Sequence, residues 1–179
     1  MEYVYVDNSN VFIEGRRVSA VSKGMAHDIV EAMQYGILDH TYNMDFGKLH
    51  QFVAGTDNAK IARAALFGSR PPPNDSIWTY AKKAGFEVVL TDRNVKNKEK
   101  KVDTGITTAM VKDAYKYVDS KNDVITLVAG DGDFVPAIET LRGDGFTVEL
   151  VFWDHVSKEL KKAASKFVSL NKHLGHLAF

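Results

Sequence analysis

Val124-Ile125-Thr126-Leu127-Val128-Ala129-Gly130-Asp131-Gly132-Asp133-Phe134 is the stretch on which the reading of this chain turns. Residues 124–129 form a nearly continuous apolar run of strand length. Gly130-Asp131-Gly132-Asp133 then breaks it with a turn composition that carries two carboxylates. From Phe134 to Leu141 the apolar spacing becomes helical, with Pro136 tolerable in the first turn. The unit is a buried strand, an acidic turn and a helix.

Working outward, the same kind of alternation fills the chain. Residues 3–6 are β-prone and stop at Asp7-Asn8-Ser9-Asn10, which suits a turn or a helix cap. Residues 61–67 read as a buried strand ended by Gly68-Ser69-Arg70-Pro71-Pro72-Pro73, because proline cannot continue a ladder. Residues 76–84 have helical character, with Gly85 at a plausible position just past the helix end. A strand over 86–90, a helix over 104–117, a strand over 146–153 and a helix over 157–167 capped by Ser157 complete the series. Residues 11–55 are mixed, with helical spacing over 28–38 and again over 46–53; the tail, 168–179, is expected to be a short strand and a loose end. Strands alternating with helices predict an α/β fold, a three-layer sandwich around a mainly parallel sheet.

The 179 residues suit one domain. With no cysteine, a disulfide framework, a thiolate zinc site and a thiol nucleophile are all excluded. The N-terminus lacks a basic region followed by an apolar stretch, and no apolar run approaches the ~20 residues that span a bilayer, so neither a signal peptide nor a membrane partner is expected. A cytoplasmic location fits these features. Twenty-three basic and 23 acidic residues give zero formal charge, which argues against coating nucleic acid by charge alone. An acidic metal site offset by a basic binding face gives the same total.

In an open parallel α/β sheet, ligands bind beyond the carboxyl ends of the strands. Asp7 follows the first strand, with Asn10 three residues on. Asp131 and Asp133 follow the 124–129 strand, and Asp103 opens the helix after a basic stretch. Each has a plain structural alternative: Asp7 as a helix cap or solvated turn residue, Asp103 as an N-cap or dipole partner, Asp131 and Asp133 as turn residues. Together they would face one edge. Gathered carboxylates raise one another's pKa unless a cation neutralises them, and hard oxygen donors select Mg²⁺ or Mn²⁺. Such a site can hold a phosphate oxygen and acidify water, the requirements of phosphodiester hydrolysis. Gly130 and Gly132 are expected to serve a tight turn that needs positive φ and close backbone approach.

Arg93, Lys96, Lys98, Lys100 and Lys101 crowd the stretch before Asp103 and are candidate phosphate contacts. Arg16 and Arg17 could reach the same edge. Phe134 is expected in the core rather than stacked on a base, His155 is expected to be surface or packing, and Trp78 and Tyr80 are expected to serve core and surface packing rather than a base-stacking platform.

These motifs carry a resemblance. Val4-Tyr5-Val6-Asp7-Asn8-Ser9-Asn10 resembles the opening Asp-x-x-Asn motif of NYN domains, a branch of the PIN-like nuclease superfamily. Lys100-Lys101-Val102-Asp103 resembles their Lys-x-Val-Asp motif, and Ala129-Gly130-Asp131-Gly132-Asp133-Phe134 their Ser-Gly-Asp-Gly-Asp-Phe motif. Residues 145–152 with Ser157 and Leu160 are similar to their closing strand and helix. The motifs keep the family's order across residues 1–179, with 18–55 the less family-like segment. The resemblance implies a PIN-like fold and Mg²⁺- or Mn²⁺-dependent ribonuclease chemistry yielding a 5′-phosphate. Asp7, Asp103, Asp131 and Asp133 would be the acidic, metal-holding and catalytic cluster, Asn10 would orient a ligand or water, and Lys100 would lie near a phosphate. Ala129 replaces a common Ser, and Ala109 stands where many relatives carry an acid; Asp113 is expected to face elsewhere. The alternative is a catalytically silent module of the same type that binds RNA or a protein partner. An adhesion-type metal site, a Toprim domain and a haloacid-dehalogenase-type phosphatase each lack a required residue near Asp7.

Overall fold

The computed structural model describes residues 1–69, 76–91 and 100–179. Strands β1 (Glu2–Asp7), β2 (Ile61–Ser69), β3 (Glu87–Thr91), β4 (Val124–Val128), β5 (Thr147–Phe152) and β6 (Lys166–Ser169) form one sheet in the order β3-β2-β1-β4-β5-β6, with every pair parallel. All strand carboxyl ends therefore lie along one edge. The connections turn back in opposite directions on either side of the β1–β4 pair, and this switch point opens a crevice for a ligand.

Helices α1 (Asn8–Ser22), α2 (Ile29–Gln34), α3 (Phe46–Ala54), α4 (Ser76–Lys83), α5 (Lys100–Lys116), α6 (Val135–Gly143), α7 (Lys158–Ala163) and α8 (Leu174–Leu177) make the links. Contacts of α5 and α6 with the strands and with each other form one outer layer; α1, α3, α4 and α8 form the other. The predicted three-layer α/β sandwich is the observed fold. β1 and β4 lie at its centre. Val4, Tyr5, Val6, Leu127 and Val128 are inaccessible to solvent, as continuous apolar strands covered on both faces must be.

Three local readings are corrected. The beginning of the stretch after Asn10 belongs to a 15-residue helix, α1, that starts at Asn8, rather than to mixed structure. Its buried face carries Gly15, Ser19 and Ala20 beside Val11 and Val18, too few large apolar residues to display the helical period. Gly15 is required there because a Cβ would come 2.8 Å from the buried Trp153 ring. The helix predicted over 157–167 ends at Ala163, and β6 begins three residues later. The tail is no loose end. Leu170 and Leu177 are fully buried, Met44 bridges Ala178, and the Phe179 N–H donates to the Asn43 carbonyl at 2.9 Å.

Among the described residues no helix is long and apolar enough to cross a membrane.

Candidate active site

The crevice at the switch point is built first by backbone. Asp7 is the last residue of β1 and the N-cap of α1: its carboxylate accepts from the Asn10 N–H at 3.1 Å. The cap explains why a polar Asp-Asn-Ser-Asn run starts a helix. It also aims the positive end of a four-turn helix at the strand exit. Asn10, held in that first turn, accepts from the Gly130 N–H at 2.7 Å and so ties α1 to the exit of β4. Asp131 follows at once, capping a short 3₁₀ turn (Gly132–Phe134) by accepting from the Asp133 N–H at 3.0 Å.

A cavity of about 390 Å³ opens here. Its walls include Asp7, Asn10, Glu14, Arg17, Asp103 and Asp131. Thus three of the four predicted acids, drawn from residues 7, 103 and 131, line one space. Asp133 does not line it; that side chain is exposed on the 3₁₀ turn. Asp103 sits in the first turn of α5, half-buried. Arg93, Lys96 and Lys98 lie outside the described residues, and Lys100 and Lys101 enter the structure only as the opening residues of α5.

Asp7 is the electrostatic centre. Only 6% of it is exposed. Burial pushes its carboxyl pKa above the ordinary range; the Asn10 and Ser9 N–H groups pull it down, the Asp131 charge pushes it up, and a hydrogen bond with the Asp103 side chain pulls it down. An ionised carboxylate in that position calls for a cation. The available donors are all oxygens, which suit Mg²⁺ or Mn²⁺ rather than a soft metal. Among the described residues no group of three or more carboxylate or imidazole side chains stands within ligating reach of one point. Mg²⁺ does not demand such a cage. It commonly binds through one or two carboxylates, with water and substrate phosphate completing the shell, and the adjoining Asp7 and Asp103 fit that mode.

Sequence reasoning missed Glu14. It lies one helical turn beyond Asn10 on the same wall, and with α1 read as a helix the i, i+4 spacing would have found it. Its carboxylate receives Arg17 Nη1 at 2.8 Å and lies 2.6 Å from His155 Nε2. The Arg17 Nε is buried without a hydrogen-bond partner among the described residues. Arg16 points away: it donates to the Tyr42 carbonyl and covers the Phe12 ring.

The sequence matches the NYN domain family over residues 3–171. The chain belongs to the NYN domain family. The match takes in all three motifs, and with them the PIN-like nuclease superfamily. A crystal structure of a protein of unknown function from Vibrio parahaemolyticus is similar, with a TM-score of 0.66 at 20% identity, covering 94% of this chain and 91% of that one. That likeness concerns the fold. No curated protein sequence matches the chain.

Other residues of this NYN domain lie outside the acidic cavity. Phe134 is fully buried, and Trp78 is buried under Gly68, where a Cβ would come 2.3 Å from its ring; Tyr80 is exposed. Asp113 does face elsewhere, accepting from the Tyr5 hydroxyl at 2.7 Å and pairing with Arg63 at 2.5 Å. Ala109 lines a separate groove beside α5. The glycine reading is corrected: neither Gly130 nor Gly132 has positive φ. Gly130 is needed for space, since a Cβ would come 2.1 Å from the Phe152 ring, while Gly132 has open room.

Proposed function

We propose that this NYN domain is a divalent-metal-dependent nuclease that hydrolyses phosphodiester bonds in RNA. The observation that carries the reading is the meeting of Asp7, Asp103 and Asp131 at the β1–β4 switch point, in a cavity also lined by Asn10 and Arg17. Asp7 and Asp103 would hold Mg²⁺ or Mn²⁺, with Asp131 and Asp133 supplying further negative charge at the mouth. Bound there, the metal supplies Lewis-acid stabilisation of the phosphate oxygens and of the departing 3′-oxygen.

The protein's own groups divide the remaining work. Asn10, fixed by the Gly130 N–H, orients water or ligand at the helix start. The Arg17 guanidinium, anchored by its Nη1 on Glu14, supports a phosphate oxygen at the wall. The basic run that includes Arg93, Lys96, Lys98, Lys100 and Lys101 holds the flanking strand by phosphate contacts.

A second reading has one observation in its favour. The absence of a three-ligand cage among the described residues suits a silent module that binds RNA or a protein partner. Cleavage of end-labelled single-stranded RNA and DNA, with Mg²⁺ or Mn²⁺, separates the two. RNA cleavage that is lost in Asp131→Asn while RNA binding persists supports the nuclease. RNA binding without turnover in either metal supports the silent module.

A further inference from the structure

We propose that a second cavity, at the exits of β5 and β6, is the subsite for an unpaired nucleobase of the strand whose phosphate occupies the Asp7 cavity; the proposal rests on the nuclease reading above and names how its substrate is held. This cavity is about 430 Å³, and Val18, Val21, Leu174, Asp154, His155 and Asn171 line it. An apolar hollow with a few convergent polar groups is the usual form of a small-ligand site.

Three observations favour a base as occupant. First, the cavity neighbours the acidic one across a single pair of side chains. Glu14 lines the acidic cavity and stands 2.6 Å from the Nε2 of His155, which lines this one. A strand with a phosphate at Asp7 would present its neighbouring nucleoside here. Second, the polar groups are arranged for a base edge. The Asn171 carboxamide oxygen accepts from the Asp154 N–H at 2.8 Å, which leaves the amide NH₂ as a donor. The exposed Asp154 carboxylate, on the same wall, is an acceptor. Unpaired RNA bases are recognised by such donors and acceptors on their exposed edges. Third, the Glu14 contact holds the His155 ring at a cavity that Val18, Val21 and Leu174 also line, and an imidazole face can stack on a base. Lys172, adjacent to Asn171, is exposed and forms no ion pair among the described residues, which suits a flanking phosphate.

Amide NMR of the full chain, titrated with each ribonucleoside 5′-monophosphate and separately with ribose 5-phosphate and inorganic phosphate, tests the assignment. Base-dependent shifts at Val21, Ser22, His155 and Asn171, absent with the two base-free probes, are expected. Ser22→Trp, an exposed position on the cavity rim, provides the second arm. It should weaken binding of a single-stranded oligoribonucleotide about five- to a hundredfold, the worth of one stacked base, with an unchanged melting temperature. Shifts confined to residues around Asp7 and Asp131 and shared by inorganic phosphate would overturn the base subsite and leave the nuclease reading intact. Base-dependent shifts in this cavity, in a protein that cleaves no RNA, would keep the subsite and overturn the nuclease reading.

Discussion

The Asn10 side-chain oxygen accepts a hydrogen bond from the Gly130 N–H at 2.7 Å across 120 residues of sequence. That bond joins the first turn of α1 to the exit of β4 and sets the separation of Asp7 from Asp131. The motif-forming residues therefore cooperate structurally before any ligand arrives.

Asn10→Ala removes the acceptor and leaves the Gly130 N–H without its partner. A cost of about 1–3 kcal/mol is expected, readable as a lowered denaturation midpoint. RNA cleavage should fall further than stability accounts for, because the two acidic residues lose their fixed spacing. An unchanged midpoint with full cleavage would show that the bond does not organise the site.

Gly130→Ala and Gly132→Ala should differ sharply, although both glycines flank Asp131. The first drives a methyl into the buried Phe152 ring and should cost about 1–3 kcal/mol or more. The second meets nothing within 4 Å and has no positive φ, so it should be nearly silent. Paired urea melts decide this; equal effects would point to turn flexibility rather than space.

Arg17→Ala should weaken RNA binding and reduce the slope of log affinity against log salt by about one, as loss of a single phosphate contact does. Arg16→Ala should leave the slope alone, since Arg16 is held on the Tyr42 carbonyl and the Phe12 ring. Identical slopes for the two variants would place the phosphate path elsewhere.

Asp39 gives the acid limb of stability. Lys23, Ser19 and Thr41 hydrogen-bond its carboxylate and hold it well below the usual carboxylate range. A depressed folded pKa contributes stability that is present above the unfolded value, near pH ~4, and lost as pH falls below it. Asp39→Asn should therefore lower the melting temperature at pH 7, with the deficit shrinking as pH drops below about 4. A deficit independent of pH would mean that the side chain acts through packing alone.

Much of this was legible in the sequence, and the reasons are physical. β1 and β4 are covered on both faces, so they appear as unbroken apolar runs, and the acids at their exits stand out against them. Helix α1 was hidden because its buried face carries the small residues Gly15, Ser19 and Ala20, and at Gly15 the close approach of Trp153 leaves no room for a side chain. Missing α1 meant missing Glu14, whose relation to Asn10 exists only on a helix. The tail carried a usable signal in Leu170, Leu174 and Leu177, but so short a helix is stabilised by docking rather than by its own periodicity. The outward position of Asp133 depends on the 3₁₀ turn, which Gly-Asp-Gly-Asp composition does not specify.

Mn²⁺ uptake, followed by loss of the free-ion electron paramagnetic resonance signal, tests the gathering of acids around a cation most directly. Burial raises the Asp7 pKa, so its ionised form opposes folding above the ordinary carboxylate range, and Asp7→Asn should fold at least as stably as the parent at neutral pH. The parent protein should take up Mn²⁺ and cleave RNA, and the well-folded Asp7→Asn variant should do neither. Equal Mn²⁺ uptake by the two proteins, or none by either, would contradict a metal centre at the β1–β4 switch point.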